Sequence, residues 1–310
     1  YFENLLDINT YFGDNIYIFT QFEYSDPPVI GFTAKGLNAF YLEYQHDKFN
    51  FKLGDLYELY GRGLSFYTLQ DQAIDYDNSL RGLAFDYVLK ENLRVSSLFG
   101  LGDYEFRDKP TEPTNNRQFK HDVILGSIQY ENEIMGSFEY LISKKRSIFE
   151  TSSQAGQEFI ISLFNPNNEL GAELETRAVD MMSDHIVNNT ALPPDTSFMK
   201  CHNINWDFVF GPLDIYIDKA WINYDKIYGG EVFGSRFYTS IYTELLGTGI
   251  TYEYKNYYTP YLIKSMSNPP IVYREGSSIL ASRNAHSINF GNEIGHQVEF
   301  NKNLFNKLNI

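Results

Sequence analysis

A single cysteine, Cys201, occurs in the 310 residues, which excludes an intramolecular disulfide framework and any multi-cysteine zinc or iron–sulfur site. No apolar run approaches the roughly 20 residues that a membrane-spanning helix needs. At Tyr1 there is no basic stretch leading into an apolar one, so a secreted form would already have lost its signal. Positive charge is scarce as well: 25 Lys and Arg stand against 40 Asp and Glu, giving a formal net charge of −15. Without clustered cations to displace counterions, a nucleic-acid backbone is excluded as a partner. Tryptophan appears only as Trp206 and Trp221, whereas Tyr and Phe are abundant at 25 each. Such residues suit half-buried strand faces, and Tyr also suits a membrane interface, where its ring is apolar and its hydroxyl wet.

These residues are laid out with a period of two. Phe40, Leu42 and Tyr44 alternate with Tyr41, Glu43 and Gln45, and after Gln45-His46-Asp47-Lys48 the chain resumes with Phe49, Phe51 and Leu53 against Asn50, Lys52 and Gly54. This reads as a hairpin with one apolar and one polar face. The pattern returns around Lys90-Glu91-Asn92, with Leu83, Phe85 and Tyr87 before the turn and Leu93, Val95 and Phe99 after it. It returns around Glu131-Asn132-Glu133, where the following strand is expected to begin at Ile134, and around Asn165-Pro166-Asn167-Asn168. Gly211-Pro212, Gly247-Thr248 and Asn301-Lys302-Asn303 mark later turns, and Gly13-Asp14-Asn15 an early, weaker one. Tight turns at intervals of about 30 to 55 residues predict an all-β, up-and-down antiparallel meander of about sixteen strand segments.

Longer connections lie between the short turns, near 25–36, 61–78, 105–117, 145–156, 181–198, 225–233 and 259–282. Proline marks several, as in Asp108-Lys109-Pro110-Thr111-Glu112-Pro113. Glu169–Asp184 has helix-forming residues, but Gly171 and the Glu173/Glu175/Arg177 alternation favour a strand. Short connections at one end and long ones at the other are the layout of a transmembrane β-barrel, with periplasmic turns and extracellular loops. The expected architecture is one barrel domain over 1–310. Phe40, Leu42, Phe51, Phe85, Phe138, Phe208 and Phe290 are expected to face lipid, and Glu43, Lys52, Asp86, Glu139, Asp207 and Glu253 the lumen. Leu304–Ile310 is too short to cross a bilayer, so the barrel is expected to be incomplete and the polypeptide to continue past Ile310.

Chemistry-bearing constellations are few. His286 and Ser287 are adjacent in an extended segment and point to opposite faces, which excludes a direct dyad; Cys201 and His202 fail the same test. His46, His121, His185 and His296 stand apart in sequence, which disfavours a metal site. Gly61-Arg62-Gly63 lacks the strand, glycine loop and helix start of a phosphate cradle and reads as a turn. Trp206, Trp221 and the tyrosines offer either a sugar-stacking track or an aromatic girdle at the lipid interface, and their place on alternating strands favours the girdle. The densest ionisable set is Asp55, Glu58, Arg62, Asp71, Asp75, Asp77 and Arg81, around one long loop. It is read either as the lining of a lumen or constriction or as ion pairs that pin the loop to the inner wall.

The segment Gly54-Asp55-Leu56-Tyr57-Glu58-Leu59-Tyr60-Gly61-Arg62-Gly63-Leu64, continuing to Asp77-Asn78-Ser79-Leu80-Arg81-Gly82, resembles a family of porin-like outer-membrane β-barrels of unknown function in Gram-negative bacteria. Ala285-His286-Ser287-Ile288-Asn289 and Gly295-His296-Gln297-Val298-Glu299-Phe300 are similar to that family's late strands, so the likeness is expected over most of the chain. The resemblance implies an outer-membrane location, lipid as the surrounding partner and no catalytic residue or cofactor. The expected function is a porin-like conduit for small solutes or ligands, not an enzyme. The alternatives are a non-conducting structural or surface-interaction barrel and a secreted soluble β protein that binds glycans.

Overall fold

The structure, a computed structural model, describes residues 2–26, 34–71, 76–107, 116–148, 196–225, 231–258, 292–304 and 308–309. The expected turn at 165–168, the segment 169–184, Phe290, and the 285–289 part of the family-like motifs lie outside these residues. Within them every long element is a strand. The first four are β1 (Glu3–Phe12), β2 (Ile16–Ser25), β3 (Ala34–His46) and β4 (Phe49–Leu56). Four two-residue strands follow: β5 (Leu59–Tyr60), β6 (Phe66–Tyr67), β7 (Gln70–Asp71) and β8 (Tyr76–Asp77). Long strands then resume with β9 (Leu80–Lys90), β10 (Leu93–Arg107), β11 (Asn116–Asn132), β12 (Gly136–Ile148), β13 (Thr196–Phe210) and β14 (Leu213–Asp225). The chain closes with β15 (Glu231–Leu245), β16 (Thr248–Tyr258), β17 (Asn292–Leu304) and β18 (Leu308–Asn309).

The long strands and β18 form one sheet of fourteen strands among the described residues, in the order β1-β2-β3-β4-β9 through β18. Each ladder joins strands that are neighbours in this order and runs antiparallel. β5 pairs with β6 and β7 with β8, as two small hairpins outside the sheet. No ladder joins β1 to β17 or β18 among the described residues.

Most turns among the described residues sit where the sequence places them, with two departures: Asn301-Lys302-Asn303, expected as a turn, lies within β17, because the ladder with β16 continues through Gly249↔Asn301 and Thr248↔Lys302, and the turn after β11 is shifted. β11 runs on to Asn132 and the turn falls at 133–135, so Ile134 is an exposed turn residue rather than the start of a strand. The cause is local: Asn132 Oδ1 accepts hydrogen bonds from the backbone N of Ile134 (2.9 Å) and of Met135 (3.1 Å), an Asx turn that competes with strand geometry.

Residues directly opposite each other in a ladder share a face, so the registers carry one face across the whole sheet. Phe51↔Phe85↔Ser97, Phe138↔Trp206↔Ile217 and Ile250↔Phe300 fall on one face. Lys52↔Ala84↔Leu98, Glu139↔Asn205↔Asp218 and Glu253↔Gln297 fall on the other. Phe40, Leu42, Phe51, Phe85, Phe138 and Phe208 all share the first face; Glu43, Lys52, Asp86, Glu139, Asp207 and Glu253 all share the second. Burial is inverted with respect to a soluble sheet: Leu83, Phe99, Ile124, Ile142 and Phe300 are exposed, while Asn203, Asp218, Lys145 and Arg236 are buried.

The polar face is concave. The Cβ position of Gly61 would lie 2.9 Å from Asp218 Oδ2 on β14, six strand positions away from β4 in the sheet. In a flat sheet that distance is about 29 Å at roughly 4.8 Å per strand. The residues from Leu56 to Gly61, even fully extended, reach only about 18 Å. The wall must therefore curl around the connection that it contacts.

Gly136 is one residue whose identity this geometry dictates. Its φ is +76°, and an added Cβ would meet Asp207 O at 2.0 Å on the neighbouring strand, whereas at Gly126 the nearest atom is 3.9 Å away. Gly136→Ala should cost more than about 2 kcal/mol and Gly126→Ala about 0.5 kcal/mol or less. Urea titration of the detergent-folded protein, followed by far-ultraviolet circular dichroism, checks the contrast.

Candidate functional site

The connection between β4 and β9 turns inward and lies against the polar face. It starts from a knot of backbone and side-chain hydrogen bonds around Thr68, whose Oγ1 donates to Leu56 O (3.0 Å) and accepts from Glu58 N (2.8 Å). Asn78 closes the far end of the loop: its Oδ1 accepts from Leu69 N (2.6 Å) and its Nδ2 donates to Tyr67 O (3.1 Å). Both residues are buried, so these bonds satisfy backbone groups that no ladder reaches. Between them Leu64 and Phe66 are fully buried. Phe66 packs with Leu56, Leu80, Ala84, Leu98, Val123, Leu125 and Leu141, the apolar positions of the inner wall on β4 and β9 to β12. Small wall residues make room for the insert: Ala84, Ser96, Gly100, Ser127 and Ser143 all face it.

The tip of the loop is the turn Gly61-Arg62-Gly63, closed by Gly63 N donating to Tyr60 O at 3.1 Å. It docks on a polar cluster that sequence reasoning did not single out. Asp218, on β14, accepts from Asn203 Nδ2 (2.6 Å), Tyr216 OH (3.0 Å) and the backbone N of Arg62 (3.3 Å). The Arg62 guanidinium carbon stands 4.3 Å from the Tyr216 ring centroid and 5.5 Å from that of Tyr238, and its Nη1 donates to Tyr238 OH at 3.1 Å. Tyr238 OH in turn donates to Glu253 Oε1 at 2.5 Å, and Arg236 Nη1 donates to Leu64 O at 2.6 Å. Only glycine fits position 61, where φ is +57° and an added Cβ would also crowd Asn205 Nδ2 and Tyr216 OH at 3.1 Å. The partners are 156 to 176 residues apart in the chain, a separation that no local motif signals. The only sequence trace of the cluster is that Asp218 and Arg236 occupy the polar phase of their strands.

The charged set expected around this loop is divided by the structure. Arg62 binds the far wall. Glu58 accepts from Lys52 Nζ at 2.8 Å beside the base of the loop, and burial raises its carboxyl above the usual glutamate range, opposed by Lys52. Asp77 caps the loop's end, accepting from Tyr57 OH (3.0 Å) and Ser79 N (2.7 Å). Asp55 and Arg81 do not belong to the lining. They are register partners on the face of Leu53 and Leu83, at the long-loop end of β4 and β9. There Arg81 Nε donates to Asp55 Oδ1 (2.9 Å), and Asp55 Oδ2 accepts from Phe40 N (2.8 Å) just where β4 leaves β3. The physical reason is parity: Gly54 and Leu56 face the insert, so Asp55 between them cannot. Asp71 lies in β7 opposite Tyr76, and Asp75 is outside the described residues.

Trp206 and Trp221 are both on the exposed apolar face, where Trp206 stacks on Phe208 at 4.1 Å between centroids and its Nε1 donates to Met135 O at 2.7 Å. Cys201 is buried on the polar face of β13, and His202, on the opposite face, shares a 2.7 Å hydrogen bond with Tyr140 OH.

These features define a class of structure: a curved antiparallel meander, apolar outside and polar inside, with one connection folded into its concavity. Residues 2–114 match a family of unknown function (DUF6029), a span that includes the Gly54–Gly82 motif and stops short of 285–300. No curated protein matches the chain. In-vitro folded OmpT, an outer membrane protein of Vibrio cholerae, is similar over 83% of this chain and 78% of that one, at 10% identity and a TM-score of 0.40. Outer-membrane expressed OmpT of the same organism is similar over 86% and 84%, at 11% identity and a TM-score of 0.40. The outer membrane protein opdK from Pseudomonas aeruginosa is similar over 86% of this chain and 66% of that one, at 9% identity and a TM-score of 0.41.

Two outcomes follow for the docked loop. Gly61→Val should release the tip while leaving the sheet intact, seen as lost amide-exchange protection over 57–71 with unchanged strand circular dichroism. Because the docked carboxyl of Glu58 holds its proton more tightly than a solvated one, its contribution to docking is complete below the ordinary glutamate pKa and lost as pH rises through the raised value. Protection factors in the loop should therefore be higher at pH 4 than at pH 8. Glu58→Gln should flatten that dependence.

Proposed function

We propose that this chain is the wall of a bacterial outer-membrane β-barrel whose lumen is narrowed by the inward loop 57–79, and that it serves as a selective conduit for small solutes. The observation that carries the reading is the docked loop itself, fixed by Arg62 and Leu64 to the opposite wall. A connection that only decorated a surface would have no need of a buried polar anchor 156 residues away. The bilayer location rests on the inverted faces. Exposed Phe, Leu and Ile on nearly every strand form an apolar surface far more continuous than soluble monomers carry, while every backbone donor and acceptor inside a ladder is already paired. Aromatic rings gather on that face near the short turns, as with Tyr44 and Phe49 and with Trp206 and Phe208, which suits an interfacial girdle, while Phe85 lies at the middle of β9. The ion pairs on the outer face, Asp55–Arg81 and Asp122–Arg146, lie toward the long-loop end, while Lys219, at mid-strand on the same face, lies over the Trp221 ring and donates to Ser235 Oγ at 3.3 Å.

A second reading draws on the same loop. Leu64, Ser65, Phe66 and Thr68 are packed as tightly as a protein core, which favours a permanently plugged, non-conducting barrel that presents its long loops to partners.

Planar-bilayer recording of the folded full-length protein separates the two. A conduit gives discrete openings whose conductance rises when Arg62→Ala or deletion of 61–66 frees the loop. Silence in the native protein, with openings only after deletion, supports the plug. The bilayer placement has its own measurement in folding into lipid vesicles: Phe85→Arg should cost about 2–4 kcal/mol, whereas Asp86→Asn on the opposite face should stay within about 1 kcal/mol.

A further inference from the structure

The insert packs against β9 to β15 but leaves a space beside β2 and β3. That space is an open recess of about 400 Å³ bounded by Phe19, Tyr41, Tyr57, Glu58, Leu59, Tyr67, Thr68, Leu69 and Gln70. A row of aromatic rings leads to it along the polar face. Tyr11 contacts Tyr17 at 5.0 Å between centroids, Tyr17 contacts Tyr41 at 5.7 Å, and Tyr41 contacts Phe19 at 5.2 Å and Tyr57 at 6.5 Å. Their side of the sheet is fixed by register. Tyr11↔Tyr17, Tyr17↔Glu43 and Phe19↔Tyr41 share the face of Gln21, whose Oε1 accepts from Gln70 of the insert at 3.2 Å.

Aromatic rings on the lipid side are accounted for by the apolar belt; these are not. Tyr11 is 70% exposed on the side that carries Asp7, Glu43 and Gln21. Tyr17, Tyr41 and Tyr57 are half-buried, and the ring surface that these and Tyr11 leave in water loses hydrophobic free energy unless something flat and partly apolar covers it. Polar groups flank the rings: Tyr17 OH donates to Asn9 Oδ1 (2.6 Å), Gln21 Nε2 to Asp7 Oδ1 (2.8 Å) and Asn38 Nδ2 to Gln21 Oε1 (2.8 Å). Carboxylates Asp7, Glu43 and Glu58 stand along the same path, which opposes anions such as nucleotides or sugar phosphates.

We propose that the row Tyr11, Tyr17, Tyr41 and Tyr57, ending in the recess under the 57–79 loop, is a binding track for a neutral linear oligosaccharide. Sugar rings present apolar C–H faces to the tyrosines and hydroxyls to the flanking amides and carboxylates. The length of the row, three centroid steps, suits several sugar units rather than one. The proposal deepens the conduit reading, since a track on the inner wall acts on solutes in the lumen, but binding is measured without current.

Titration calorimetry of the folded full chain in detergent, with maltohexaose, cellohexaose and chitohexaose as probes and adenosine and glucose 6-phosphate as comparators, is the test. At least one hexasaccharide should bind, and Tyr41→Ala or Tyr57→Ala should weaken it by about tenfold. Tyr41→Phe should keep most of the affinity and Tyr41→Leu should not, because a flat ring rather than apolar volume is required. Absence of hexasaccharide binding, indifference to both alanine variants, or preference for adenosine or glucose 6-phosphate would each overturn the track. Bilayer conductance of the same preparation keeps the readings apart: openings without sugar binding overturn the track alone, and sugar binding without openings overturns the conduit alone.

Discussion

The structure rests on one constraint, the alternation of side chains along sheet strands that, from β2 to β16, have a ladder partner on both sides. Once each N–H and C=O within the sheet has a ladder partner, the faces are free to differ without limit in polarity. The chain uses that freedom in the inverse sense of a soluble sheet. Leu83, Ile124 and Phe300 are left outside while Asp218, Asn203 and Arg236 are enclosed. A one-residue slip anywhere would bring Asp86 or Glu139 onto the apolar face, so the pattern fixes register as well as polarity.

Enclosing the polar face creates a second problem, since a curved wall lined with polar groups needs either water or protein to satisfy it. Over β9 to β15 the answer is protein. Loop 57–79 brings its own apolar residues, Leu64 and Phe66, to a patch of wall that is apolar on its inner side, and brings backbone groups and Arg62 to the polar patch beyond it. The match is chemical as well as geometric: small side chains beneath the insert, glycine at the tightest approach, and tyrosine rings stacked on the guanidinium. Over β1 to β3 the cover is partial, reaching Gln21 through Gln70 and Tyr41 through Tyr57, and the wall there carries tyrosines and amides. The insert thus divides the inner surface into a packed part and an open part, and the two differ in composition accordingly.

The charged cluster near the loop shows how far linear reading goes. Glu58 and Asp77 act locally, on Lys52 and on Tyr57, within about twenty residues as the sequence suggested. Asp55 and Arg81 pair with each other, yet on the wrong side for a lumen, because two positions of the same strand separated by an odd number cannot share a face. Grouping residues by proximity to a loop ignores that parity; counting it would have separated them. The turn at 133–135 was misread for a related reason, since an Asn side chain that mimics a backbone acceptor leaves no mark in the apolar pattern.

The sequence by itself determined the class of secondary structure, the antiparallel order of the strands, most turns, and the two-face division, because all of these follow from period-two patterning and turn chemistry acting over a few residues. Only the tertiary structure decided the curvature of the wall, the inward course of loop 57–79, its anchor on Asp218 and Arg236, and the row of tyrosines left open beside it. Those depend on contacts between residues up to 176 positions apart. Such contacts are set by strand order and curvature of the sheet around its insert, not by any preference that a short stretch of chain can express.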